Sequence, residues 1–129
     1  MNTTRLLKVY RKAQGLAQDE SALQQLSLQA IQKAEHHKGR VKAFLKDLLA
    51  MIRMVRAWAK KEYRVMPWTS FVAAVGALAY FLNPLDFVPD FLLVGFVDDA
   101  LVVAWVLSSI KKDLDVFLNW EKLKEGGEL

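Results

Sequence analysis

Cysteine is absent from the 129 residues. Its absence removes a disulfide framework, a thiolate nucleophile and every cysteine-ligated zinc or iron–sulfur site. Histidine occurs only as the neighbours His36 and His37, so imidazole chemistry has a single place to draw from. Adjacent side chains at a helix end point in different directions, which disfavours zinc held there with remote aspartates. There is no glycine-rich phosphate loop, nucleophile elbow or HExxH motif, and Ser108 and Ser109 have no base nearby in sequence. No catalytic constellation and no cofactor site is therefore expected. The opening "MNTTRLLKVYRK" lacks the apolar core and small-residue cleavage site of a secretory signal, which makes a cytoplasmic start the expectation.

What is present is greasy and charged at once. Hydrophobic residues make up 53% and mean hydropathy is +0.13, whereas 25% of residues are charged. The net charge of +4 conceals a division. Residues 1–64 hold 14 Lys+Arg against 5 Asp+Glu, a balance of +9, and residues 65–129 hold 4 against 9, a balance of −5. The chain reads as one structural domain with a basic amphipathic region (1–64) followed by a hydrophobic hairpin and C-terminal helix (65–129). A basic surface points to anionic partners, either phospholipid headgroups or nucleic acid.

The periodicity is helical throughout, without convincing strand alternation. Leu6, Leu7, Tyr10, Ala13 and Ala17 recur at spacings of three and four, as do Leu23, Leu26, Ala30, Ile31 and Ala34 after the cap-like "QDES". "HHKGR" reads as a break. The pattern restarts with Val41, Phe44, Leu45, Leu48, Leu49, Ile52, Val55 and Ala59, opposite a stripe of Lys42, Lys46, Arg53, Arg56, Lys60 and Arg64. That stripe is either a solvated face over a bundle core or a surface that meets anionic lipid. No DNA- or RNA-binding motif accompanies it, so nucleic acid is not an expected partner.

Pro67 ends that basic helix by this reading, and a new one starts beyond it. "WTSFVAAVGALAYFL", Trp68 to Leu82, has no charge and is apolar nearly all round. At ~1.5 Å per residue it covers about 22 Å, short of the ~30 Å hydrocarbon layer. A second greasy segment, Phe91 to Leu107, contains Asp98 and Asp99, each costing about 2.5–3.5 kcal/mol near a bilayer centre. A simple two-span protein is not the cheapest solution. The two segments are expected to form a helical hairpin, with Trp68 and Trp105 at one level, that either dips into lipid or packs on the N-terminal helices.

Between them lies "NPLDFVPDFLLVGFVDDA", Asn83 to Ala100. Asn83 is a good N-cap, Pro84 suits a first helical position and Asp86 can reach back to close a capping box. Pro89 blocks extension, Asp90 can cap the next helical segment, Gly95 allows a bend, and Asp98 with Asp99 suits the start of the last long helix. The alternative is a divalent-metal site of Asp86, Asp90, Asp98 and Asp99, since Mg²⁺ and Ca²⁺ take carboxylate oxygens; the spacing matches no EF-hand loop.

The run "YFLNPLDFVPDFLLVGFVDD", from Tyr80 to Asp99, resembles the core motif of the YkvA family, also called DUF1232, over roughly residues 68 to 107. Its motif positions fall on Pro84, Asp86, Pro89, Asp90, Gly95, Asp98 and Asp99. The resemblance implies a small, mostly bacterial, helical domain often associated with membranes, and no established activity. The basic region lies outside it. After the hairpin, Ile110, Leu114, Phe117, Leu118 and Leu123 form an apolar side, and Lys111, Lys112, Asp113, Asp115, Glu121 and Lys124 are expected to face solvent.

The expectation is an all-α domain of about five helices around a central hydrophobic hairpin. It associates with the cytoplasmic face of a membrane as a scaffold or regulatory interaction module, or is integral through a short hairpin. The expected partner is an anionic membrane surface. A soluble helical bundle that binds a protein partner and a metal-dependent enzyme using the aspartates are the competing classes; the oligomeric state stays open.

Overall fold

The computed structural model describes residues 3–36, 38–82 and 99–125. All of their regular structure is helical: α1 (Thr3–Ala17), α2 (Glu20–His36), the one-turn α3 (Lys38–Val41), a 3₁₀ turn (Lys42–Phe44), α4 (Leu45–Ala59), α5 (Trp68–Leu82), α6 (Asp99–Ser109) and α7 (Lys111–Glu125). Six of these helices have eleven residues or more, so the fold is a small all-α domain.

The uncharged helix α5 is the axis of the packing. It has no polar face to give to water, so it must be enclosed. Phe71, Val72, Ala74, Val75, Ala77, Leu78, Ala79, Tyr80 and Phe81 are all buried, and α1, α2, α4 and α6 pack around them. The contact with α1 is the most extensive helix–helix contact among the described residues. Ala13 and Ala17 of α1 are buried, and small side chains let helices approach closely. Tyr10, read as part of the same apolar face, is 38% exposed. α2 and α4 pack against each other, and Leu23, Leu26, Ala30 and Ala34 of α2 and Leu48, Met51, Ile52 and Val55 of α4 all enter the same core. No described helix is long and apolar enough to cross a membrane.

The boundaries follow local chemistry. At the start of α2, Asp19 Oδ1 accepts the backbone N–H of Ala22 at 3.1 Å, as the "QDES" cap implied. α5 starts at Trp68, with the Pro67 carbonyl accepting from Phe71 N at 3.1 Å. Three expectations need correction. "HHKGR" is largely helical: α2 runs to His36, and Lys38–Val41 form another turn, with His37 outside the described residues. The basic helix starts at Leu45 rather than Val41, leaving Lys42 in the 3₁₀ turn. It also stops at Ala59, well before Pro67. There Lys61 adopts φ 63°, Lys61 N donates to Trp58 O (3.0 Å) and Glu62 N to Ala57 O (2.9 Å). This is the double bond of a Schellman cap, with lysine at the left-handed position usually held by glycine.

α6 and α7 are almost one helix. Ile110 N reaches Val106 O at 3.0 Å and Leu114 N reaches Ile110 O at 2.9 Å, but the regular pattern lapses at Ile110. Beside the lapse, Ser109 Oγ donates to Trp105 O at 3.0 Å, a competing side-chain bond of the kind that bends helices. Of the expected second arm, Phe91 to Asp98 lies outside the described residues.

Two outcomes test this packing. Leu78 is fully buried on α5, so Leu78→Ala costs about 2–5 kcal/mol in denaturant unfolding. Leu28→Ala on the outer side of α2, where Leu28 is 57% exposed, changes stability by less than about 0.5 kcal/mol. Lys61→Gly relieves the left-handed strain and raises stability by about 0.5–1 kcal/mol in urea melts, because the exposed Lys61–Glu20 pair at 3.4 Å that it removes contributes little.

Candidate functional site

The six cations of the basic stripe do not form one continuous surface. Lys42 in the 3₁₀ turn and Lys46 in the first turn of α4 are exposed, as are Arg56 in its last turn and Lys60 just beyond it. Arg53 between them is held by α7: its Nε and Nη2 donate to the two carboxylate oxygens of Glu121 at 2.9 and 3.0 Å. That bond keeps the Arg53 pKa above its ordinary value. Arg64, beyond the end of α4, turns back. Its Nε donates to Trp58 O at 3.1 Å and its guanidinium lies 4.9 Å from the Trp58 ring. Trp58 in turn stacks on Phe71 of α5 at 4.1 Å, so Arg64 seals the core edge. Among the described residues, Lys42, Lys46, Arg56 and Lys60 form no ion pair.

α7 supplies the acids and cations that α4 and its following loop meet. Lys111 Nζ lies 3.5 Å from Asp47 and 3.3 Å from Asp115. Lys124 Nζ lies 2.8 Å from Glu62. The ties rise in chain order on both partners, Asp47 to Lys111, Arg53 to Glu121 and Glu62 to Lys124, so α7 runs along α4 in the same direction. Lys111 and Lys124 are exposed, as expected, and Glu121 is half-buried; each also reaches a partner on α4 or the loop that follows it. The Lys124 hydrogen bond, reinforced by its charge, holds the Glu62 carboxyl below the usual glutamate range. Lys60 and Arg56 add a smaller pull in the same direction. This carboxylate therefore contributes fully above the ordinary glutamate range, and its contribution is lost as pH falls through its depressed pKa.

Between α4 and α7 lies a cleft of about 380 Å³ lined by Arg53, Arg56, Lys60, Trp120, Lys124 and Glu125 among others. Phe117 and Trp120 form its aromatic side, with ring centroids 5.7 Å apart, and Lys124 Nζ is 5.0 Å from the Trp120 ring. Behind them Tyr63 is buried, 5.0 Å from both rings. Among the described residues its hydroxyl has no hydrogen-bond partner. Burial, and then the nearby charge of Asp113, push its pKa above the ordinary tyrosine value.

The motif residues Asn83, Pro84, Asp86, Pro89, Asp90, Gly95 and Asp98 lie outside the described residues. Asp99 opens α6, where the sequence placed the first turn of that helix. At the other end of the motif, Lys33 of α2 donates to the Phe81 carbonyl in the last turn of α5 and lies 4.7 Å from the Phe81 ring. A cation at that carbonyl end complements the α5 dipole. Among the described residues no group of three His, Cys, Asp or Glu side chains is placed to hold a metal ion. Trp105 is 71% and Val116 52% exposed on α6 and α7. The sequence reading missed the roles of Glu62, Tyr63, Trp120 and Glu121. Their partners stand far away in the chain, and no local spacing signals them.

A family model described as "Protein of unknown function (DUF1232)" matches residues 70–105, from the first turn of α5 into α6. Over 80 residues the chain is 30% identical to "Uncharacterized membrane protein YkvA" of Bacillus subtilis (strain 168), covering 61% of this chain and 76% of that relative. No solved structure matches this chain.

The buried Tyr63 hydroxyl has a measurable signature. Tyr63→Phe removes an unsatisfied group and changes stability by between zero and about +1 kcal/mol. A loss of more than about 1 kcal/mol in urea unfolding would instead reveal a partner for the hydroxyl. The raised pKa means that Tyr63 contributes fully below the ordinary tyrosine range and loses that contribution as pH rises through its elevated pKa. The fall in melting temperature at high pH is therefore shallower in Tyr63→Phe than in the parent.

Proposed function

The chain belongs to the DUF1232 family, and on that premise we propose that it is a membrane-associated helical module acting as a scaffold or regulatory interaction partner, with its basic face against anionic lipid. The supporting observation is one arrangement. α5, the most apolar helix, is enclosed by α1, α2, α4 and α6, while Lys42, Lys46, Arg56 and Lys60 face outward. Association then needs no buried helix to leave its core. The cations meet phospholipid headgroups through long-range attraction, each worth ~1 kcal/mol near an anionic surface and weakened by salt. Arg53 and Arg64 are structural in this reading, since one is occupied by Glu121 and the other by Trp58. The membrane naming of the YkvA relative agrees with it.

A second reading, a helical bundle that binds a protein partner, is favoured by the exposure of Trp105 and Val116. Both are apolar side chains left outside the core.

Flotation separates the two. The protein is expected to float with vesicles of phosphatidylglycerol in phosphatidylcholine at low salt and to release as salt rises. Replacing Lys42, Lys46, Arg56 and Lys60 together by glutamate should lower partitioning by more than about a hundredfold with far-UV circular dichroism unchanged. Equal flotation of parent and variant removes the lipid role of these cations. Failure of the folded parent to float leaves the protein-partner reading.

A further inference from the structure

The cleft between α4 and α7 divides its unpaired charges between two walls, and attraction to a lipid surface does not use that division. Of the lining cations, Arg53 is neutralised by Glu121 and Lys124 by Glu62. Arg56 and Lys60 are the lining cations without an ion pair among the described residues, and Glu125 is the lining acid without one. Arg56 and Lys60 stand four residues apart on one face of α4 and its cap, so they repel each other. An anion placed between them relieves that repulsion. Glu125 closes the last turn of α7, where the carbonyl end of the helix adds to its pull on a cation. The half-buried Trp120 lies on the same cleft, and its face already accepts an ammonium, that of Lys124 at 5.0 Å.

We propose that this cleft binds a zwitterionic phosphoester, with its phosphate between Arg56 and Lys60 and its ammonium toward Glu125 and the Trp120 ring. A purely anionic ligand would leave Glu125 without a partner, since Glu62 and Glu121 are already held by Lys124 and Arg53, whereas a ligand carrying both charges also answers Glu125. The cleft volume of about 380 Å³ suits a small polar headgroup. A phosphoethanolamine lipid and a free phosphoamine share this chemistry. The lipid source rests on the membrane-surface reading; the soluble source does not.

The test monitors the indole N–H resonance of Trp120, assigned through Trp120→Phe, in the full ¹⁵N-labelled chain. O-phosphoethanolamine is expected to shift it saturably, with affinity about tenfold above that of inorganic phosphate or ethanolamine alone. Arg56→Gln with Lys60→Gln abolishes the response, and Glu125→Gln reduces phosphoethanolamine to the level of inorganic phosphate. Both substitutions are at exposed positions, so circular dichroism stays that of the parent. No saturable shift, or equal affinity for phosphate and phosphoethanolamine, overturns the proposal. Vesicles with and without phosphatidylethanolamine identify the source. A response to the soluble phosphoamine in a protein that floats with no vesicle keeps the cleft and sinks the membrane reading. Normal flotation on phosphatidylglycerol vesicles with a silent Trp120 sinks the cleft alone.

Discussion

An apolar helix without a polar face can be stable only where something covers all of it, and α5 imposes that requirement on the whole molecule. Fifteen uncharged residues cannot span a bilayer comfortably and cannot face water. The fold answers by laying α1, α2, α4 and α6 around them. The N-terminal helices are therefore not an appendage to the family motif. They supply Ala13, Leu23, Ala30, Leu48, Met51 and Val55 to the same core that α5 fills with Phe71, Leu78 and Phe81. Lys33 closes the far end of α5 by taking the Phe81 carbonyl, and the stacked pair of Trp58 and Phe71 closes the near end.

Covering α5 also settles where charge can go. The stripe opposite the apolar face of α4 remains at the surface, yet α7 comes to lie along it and answers one member of it, with Glu121 taking Arg53. The other two ties run the opposite way: Asp47 and Glu62 of the basic half take Lys111 and Lys124 of the acidic half, so the surplus charge of the two halves is not cancelled by these ties. What is left over, Lys42 and Lys46 at one end of α4 and Arg56 and Lys60 at the other, is the positive surface on which a membrane role rests.

Much of the fold was legible in the periodicity. Leu23, Leu26, Ala30 and Ala34 are buried as their spacing required, Asp19 caps α2, and α5 begins just after Pro67. These are local matters of side-chain pattern and backbone sterics, which a short window of sequence contains. The end of α4 was not legible. Proline stops a helix visibly, whereas the Schellman turn at Lys60 to Glu62 is closed by two backbone bonds and a left-handed lysine that no composition rule marks.

The sequence by itself determined that the chain is helical, that its greasiest helix is too short for an ordinary span, and that the family motif sits between two apolar segments. Each of these rests on period, length or residue order. Only the tertiary structure decided that α5 is wrapped rather than exposed, that Arg53 and Arg64 are occupied while Arg56 and Lys60 are not, and that Tyr63, Phe117 and Trp120 meet behind one cleft. The physical reason is range. Burial of an apolar helix can be satisfied by protein or by lipid with equal local pattern, and an ion pair between residues 53 and 121 depends on how two distant helices lie, which is set by the packing of everything between them.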